Sequence, residues 1–230
     1  MNVGGVILIV SVVVIALVIG GYYVFIPEES DIPETIVLDA EMGATYELVF
    51  TATWSGESHP SDFPSSAHWS GLIGATHNEN VIFWDLGGIS SDGIKLMAET
   101  GGKGDLIKEV ETKIAGQNAN QVLSGSGISP SPGQARIVFN MSENYPLVTL
   151  VSMVAPSPDW FVGVSGLSLY EDENWVDSKE IELFAYDAGT DGGVDYTSVN
   201  VETSPRKLIS KSDYPALQGS MGKFVFRRLN

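Results

Sequence analysis

The chain has 230 residues, no cysteine and a formal net charge of −17, with 12 Lys and Arg against 29 Asp and Glu. The missing thiols exclude disulfides, Cys-ligated zinc, thiol catalysis and a cysteine-borne lipid anchor. So acidic a balance excludes a nucleic-acid partner held through its phosphates. Secreted animal modules usually carry disulfides, so a cysteine-free chain fits an exported microbial protein better.

Residues 3–26, VGGVILIVSVVVIALVIGGYYVFI, carry no charge. About 20 apolar residues cross a bilayer as a helix, and Tyr22 and Tyr23 sit where interfacial aromatics belong. No Lys or Arg precedes the run and no small-residue cleavage pattern follows it, so residues 1–26 read as an uncleaved transmembrane anchor rather than a signal peptide. Gly4, Gly5, Gly20 and Gly21 would allow close helix contacts and self-association. Pro27 ends the helix, and residues 27–43, PEESDIPETIVLDAEMG, read as a short acidic linker. The folded domain is expected over 44–230, on the outer side of the membrane.

Residues 46–54 alternate and are rich in β-formers, which predicts a strand. A long Ser- and Pro-rich loop follows, then a short strand at 80–84, NVIFW. Residues 91–99 and 105–117 have helical spacing, with Leu106, Ile107, Val110 and Ile114 on one face. Residues 118–134 are polar and rich in Gly, Ser and Pro, and read as a loop. Further strands are expected at 135–141, 146–154, 159–170, 179–185 and 223–228. Many turn-punctuated strands around one helical region predict an all-β fold, an antiparallel β-sandwich with one or two short helices.

Three constellations could carry chemistry. Asp159, Asp187 and Asp191 lie beside Pro and Gly turns at predicted strand ends, where Gly189 lets two carboxylates four residues apart face one another. Such oxygens suit a hard cation such as Ca²⁺, with carbonyls and water completing a shell of six to eight; the same aspartates could instead cap turns by accepting backbone N–H groups. His59, His68 and His77, the only histidines, could hold a hydrolytic zinc with Glu57 or Asp62 as base, although neither their spacing nor their context matches a known zinc motif. Of the five tryptophans, most are expected in the core, and Trp69, in a polar loop, is the best candidate for an exposed stacking platform. No nucleophile elbow or phosphate loop is present. Asn140-Met141-Ser142 is an N-glycosylation sequon.

The segments TATWSGESHPSDFPSSAHWSGLIGATH (residues 51–77), LVTLVSMVAPSPDWFVGVSGL (147–167) and LFAYDAGTDGG (183–193) closely resemble, in the same order, the N-terminal spondin domain of F-spondin and mindin. The resemblance covers about 44–229. It implies a C2-like sandwich, a calcium site at the positions of Asp159, Asp187 and Asp191, and a non-enzymatic task in adhesion or recognition at the cell surface, with an extracellular protein or glycan as ligand. The chain departs from the animal architecture in lacking cysteines and thrombospondin-type repeats. Two other readings stand beside this one: a calcium-stabilised surface-layer or filament subunit, and a zinc-dependent surface hydrolase using the three histidines.

Overall fold

The computed structural model describes residues 43–230. The anchor expected at 1–26, and all of the linker at 27–43 except its last residue, lie outside the described residues. Residues Ala40–Asn230 form one compact unit. Among the described residues no helix is long and apolar enough to cross a membrane.

In chain order, the first strands are β1 (Gly43–Ala52), β2 (His68–Trp69) and β3 (Ile73–His77). Two helices follow, α1 (Asp92–Thr100) and α2 (Gly104–Ala115), and then β4 (Ala119–Ser124), β5 (Gly133–Ser142), β6 (Leu147–Ala155) and β7 (Trp160–Ser168). A small hairpin, β8 (Tyr170–Glu171) and β9 (Asn174–Trp175), leads to β10 (Ser178–Leu183) and β11 (Tyr186–Asp187). The chain finishes with β12 (Ser210–Lys211), a short 3-10 turn and β13 (Gly222–Arg228).

Two antiparallel sheets result. One has the order β10-β13-β1-β5; the other runs β12-β11-β7-β6-β3-β4, with β2 paired to β6. In β1, residues Ala44, Tyr46, Leu48, Phe50 and Ala52 all enter the core between the sheets, the period of two that a half-buried strand requires. In β6 and β7 the alternation vanishes because both faces are covered. Leu150, Val154, Trp160 and Val162 face the inter-sheet core, while Val151, Met153, Ala155 and Phe161 face a second core on the other side of the same sheet.

That second core is closed by the helices. Ile94, Met97 and Ala98 of α1, with Leu106 and Val110 of α2, are buried there, and Ile107 and Ile114 pack at its margin. The apolar face expected from the helical spacing is therefore the face that docks. Ser91 starts α1: its Oγ accepts from the Ile94 N–H at 3.2 Å and donates to Glu109 Oε2 at 2.7 Å, so the cap also ties α1 to α2. The described unit is thus three layers, four-stranded sheet, larger sheet and helix pair.

Four local expectations fail. Residues 80–84 form no strand; Val81, Phe83 and Trp84 are buried as irregular chain over the helical core. The Trp84 carbonyl accepts from the Ser165 hydroxyl instead of from a ladder. The stretch 118–134, read as a loop, contains β4, and the long loop after β1 contains β2 and β3. All five residues of β3 are buried, paired to β6 on one side and β4 on the other. Its Gly74 is required by packing: a Cβ there would stand 1.9 Å from the Thr149 carbonyl oxygen of β6. Trp69, expected to be exposed, is only 2% exposed, wedged edge-on against Phe50 at 5.1 Å and Trp54 at 5.6 Å.

Candidate metal centre

At one end of the sandwich the chain entering β7 meets the loop that leaves β11. Asp159, immediately before β7, is fully buried. Its Oδ2 accepts three hydrogen bonds, from the Thr190 N–H at 2.7 Å, the Asp191 N–H at 3.0 Å and the Thr190 hydroxyl at 3.2 Å. Its Oδ1 is buried with no hydrogen-bond partner. Burial, and then the charge of Asp187, push the Asp159 carboxyl up to about 6, against the lowering effect of those three donors.

Asp187 closes β11 and accepts from the Gly189 N–H at 2.8 Å. Burial raises its pKa, as does the charge of Asp213, while Gly189, Trp160 and Lys207 act in the opposite sense. Gly189 makes the turn possible: its φ is +72°, and a Cβ there would lie 2.4 Å from the Lys207 carbonyl oxygen. Asp191 is mostly buried, with Oδ1 accepting from the Gly193 N–H at 2.8 Å and the Val201 N–H at 3.0 Å. Asp187, Asp191 and Asp213 line one cavity of about 650 Å³, together with Lys207 and Lys211.

The structure therefore places Asp159 and Asp187 in electrostatic contact, and Asp187 and Asp191 on one cavity wall. Of the two roles open in the sequence, the turn-capping one is observed: each of the three aspartates accepts backbone N–H groups, and Asp159 itself does not line the cavity. Among the described residues no three His, Asp or Glu side chains converge as a complete ligand cluster. The donor chemistry still fits a hard divalent cation: all donors are oxygens, and a buried carboxylate oxygen without a hydrogen is the group a cation satisfies. Asp213, between Ser212 and Tyr214-Pro215, was not singled out in the sequence although Ser, Asp and Pro are turn formers, and only the fold brings it to this cavity.

The histidines do not meet. The His59 Nδ1 is 2.9 Å from Ser58 Oγ. His68 Nδ1 donates to the Ser66 carbonyl at 2.7 Å. His77 is buried, donating from Nδ1 to the Asn78 carbonyl and accepting at Nε2 from the Thr149 hydroxyl, both at 2.8 Å. His59 and His68 bond within their own loop, His77 ties the end of β3 to β6, and the described residues contain no three-histidine cluster for zinc.

The Spondin_N family profile matches residues 44–222, which takes in the larger sheet, the helix pair, all three aspartates and the four-stranded sheet up to the start of β13. The chain belongs to the spondin N-terminal domain family. Spondin-2 of Homo sapiens is 32% identical over 197 residues, covering 84% of this chain and 60% of that protein. Spondin-1 of Rattus norvegicus is 36% identical over 177 residues, covering 72% of this chain and 21% of that protein. The spondin domain here thus spans less than two thirds of Spondin-2 and about a fifth of Spondin-1.

Proposed function

We propose that this spondin domain is a non-enzymatic recognition module that acts outside the cell, with a calcium ion stabilising the loops at one end of a C2-like sandwich. Family membership supports an extracellular setting and a task in adhesion, toward a protein or glycan. The apolar run 3–26 supports tethering to the membrane. The single observation that carries the cation reading is the buried Asp159 Oδ1, unpartnered beside the charge of Asp187. Asp159, Asp187 and Asp191 would hold the ion, with water and carbonyls completing the shell. The ion's part is to neutralise carboxylates that otherwise repel one another in a poorly solvated corner.

Equilibrium dialysis of the unit Ala40–Asn230 against ⁴⁵Ca²⁺ tests this. The expected result is about one ion per chain with a Kd on the order of 10⁻⁴–10⁻³ M, the range of extracellular modules, and loss of that binding in Asp187→Asn. Binding that persists unchanged in Asp187→Asn, or no bound calcium at all, overturns the proposal.

A further inference from the structure

A second surface, sharing no lining residue with the aspartate cavity, is built to receive an extended chain. β11 pairs with β7 only at Trp160 and Phe161. Beyond Phe161, among the described residues, no strand covers that side of β7, and β10 across the gap pairs only with β13. Between these two open edges lies a groove of about 560 Å³, into which Gly163 to Leu167 present their edge. Its apolar lining includes Val164, Leu167, Ile181 and Tyr186. Ile82, 70% exposed, and Leu86, 52% exposed, stand on its rim as apolar side chains in water.

The groove's charge is of one sign. Glu79, Asp85 and Glu182 line it, and no Lys or Arg does. Among the described residues none of these three carboxylates is in an ion pair. A strand edge with free backbone groups takes up another strand through main-chain hydrogen bonds, and side chains that alternate along it supply selectivity. An apolar floor with an unneutralised acidic rim selects apolar residues facing inward and basic residues beside them. The net charge of −17 disfavours a second copy of this chain in the same place.

We propose that this groove binds an extended, basic segment of a partner protein, alternating Lys or Arg with aliphatic residues, as an added strand on β7. The proposal supplies a partner class for the recognition module described above. It does not depend on the cation site, so the two can fail separately.

The test is a ¹⁵N amide-shift titration of Ala40–Asn230, whose two cores lie within it, with the synthetic peptide Lys-Val-Lys-Leu-Lys-Val-Lys and with its glutamate counterpart. The basic peptide is expected to give saturable shifts centred on residues 163–167 and 82–86, and the acidic peptide none. The double reversal Glu79→Lys/Glu182→Lys, at two exposed positions, should weaken binding by roughly tenfold or more, the size of about 1.4 kcal/mol. The reversal Glu57→Lys/Glu111→Lys, of two exposed acids outside the groove, should change it by less than about twofold. The proposal is overturned if the basic peptide does not bind, if its shifts spread over the acidic surface or centre on residues 187–193, or if both reversals weaken binding equally.

Discussion

Trp69→Ala is expected to destabilise the domain by about 3–5 kcal/mol, the range for removing a large aromatic from a packed core. For a domain of this size that corresponds to a fall in Tm of roughly 10 °C. The indole fills the space between Phe50 and Trp54, so truncation leaves a cavity in the inter-sheet core. It also removes a polar contact. Trp69 Nε1 donates to Ser131 Oγ at 3.0 Å, and that hydroxyl donates onward to the Trp54 carbonyl at 2.6 Å. Trp69→Phe keeps most of the apolar volume and loses only the first of these bonds, so its cost should be clearly smaller. Ile82→Ala, at a position 70% exposed, should stay within about 0.5 kcal/mol. Urea unfolding of the three variants checks the order. A near-neutral Trp69→Ala would mean that the side chain works at the surface.

The second large effect is on pH dependence. A carboxyl whose folded-state value is raised from an ordinary 3.8 to about 6 binds its proton more tightly in the folded state. It favours folding fully below about pH 4, and that contribution is lost as pH rises through 6. Above that, burying the Asp159 charge costs the cation-free protein on the order of 2–3 kcal/mol, at about 1.4 kcal/mol per pKa unit. His59 and His77 act in the opposite sense. Burial lowers both, so each contributes stability that is present above about 6.5 and is lost as pH falls through its folded-state value.

Asp159→Asn separates the two effects. The amide oxygen can still accept from Thr190 and Asp191, but it carries no charge. In chelator, the variant should equal or exceed wild type at pH 7.5, and the difference should shrink toward pH 4.5. Urea midpoints across that range measure it. A variant that is less stable than wild type at every pH would show that Asp159 is only a backbone-capping residue.

Much of this was legible in the chain, for identifiable reasons. β1, β6 and β7 were visible because their apolar residues are large and continuous or strictly alternating, and the helices because Leu106, Val110 and Ile114 recur on one face. β3 was not. Ile73, Gly74, Ala75, Thr76 and His77 have neither the bulk nor the alternation of a strand, and they are buried because two other strands and a helix layer enclose them. The error at residues 80–84 is the converse: an apolar run that packs without pairing. Trp69 misled because polar neighbours in sequence say nothing about Phe50 of β1 and Trp54 just beyond it, which the fold brings against it. Asp159 was marked by Pro158, and Asp187 and Asp191 by Gly189, Gly192 and Gly193, whereas Asp213, two residues before Pro215, lay outside the segments that carried the resemblance, and Lys207 and Lys211 had no reason to be placed at the cavity. The groove on β7 was invisible, since an unpaired edge belongs to topology rather than to composition.

The central claim is that calcium relieves the buried charge of Asp159 and Asp187. Thermal unfolding of Ala40–Asn230 at pH 7.5, in 10 mM Ca²⁺ and in chelator, tests it most directly when wild type and Asp159→Asn are run side by side. Against a Kd of about 10⁻⁴–10⁻³ M, 10 mM is about ten to a hundred times Kd, so wild type should gain about 1.4–2.7 kcal/mol, or roughly 3–10 °C. Asp159→Asn should start at or above wild type in chelator and barely move with calcium. A wild type indifferent to calcium, or a variant that gains as much as wild type, would contradict the account.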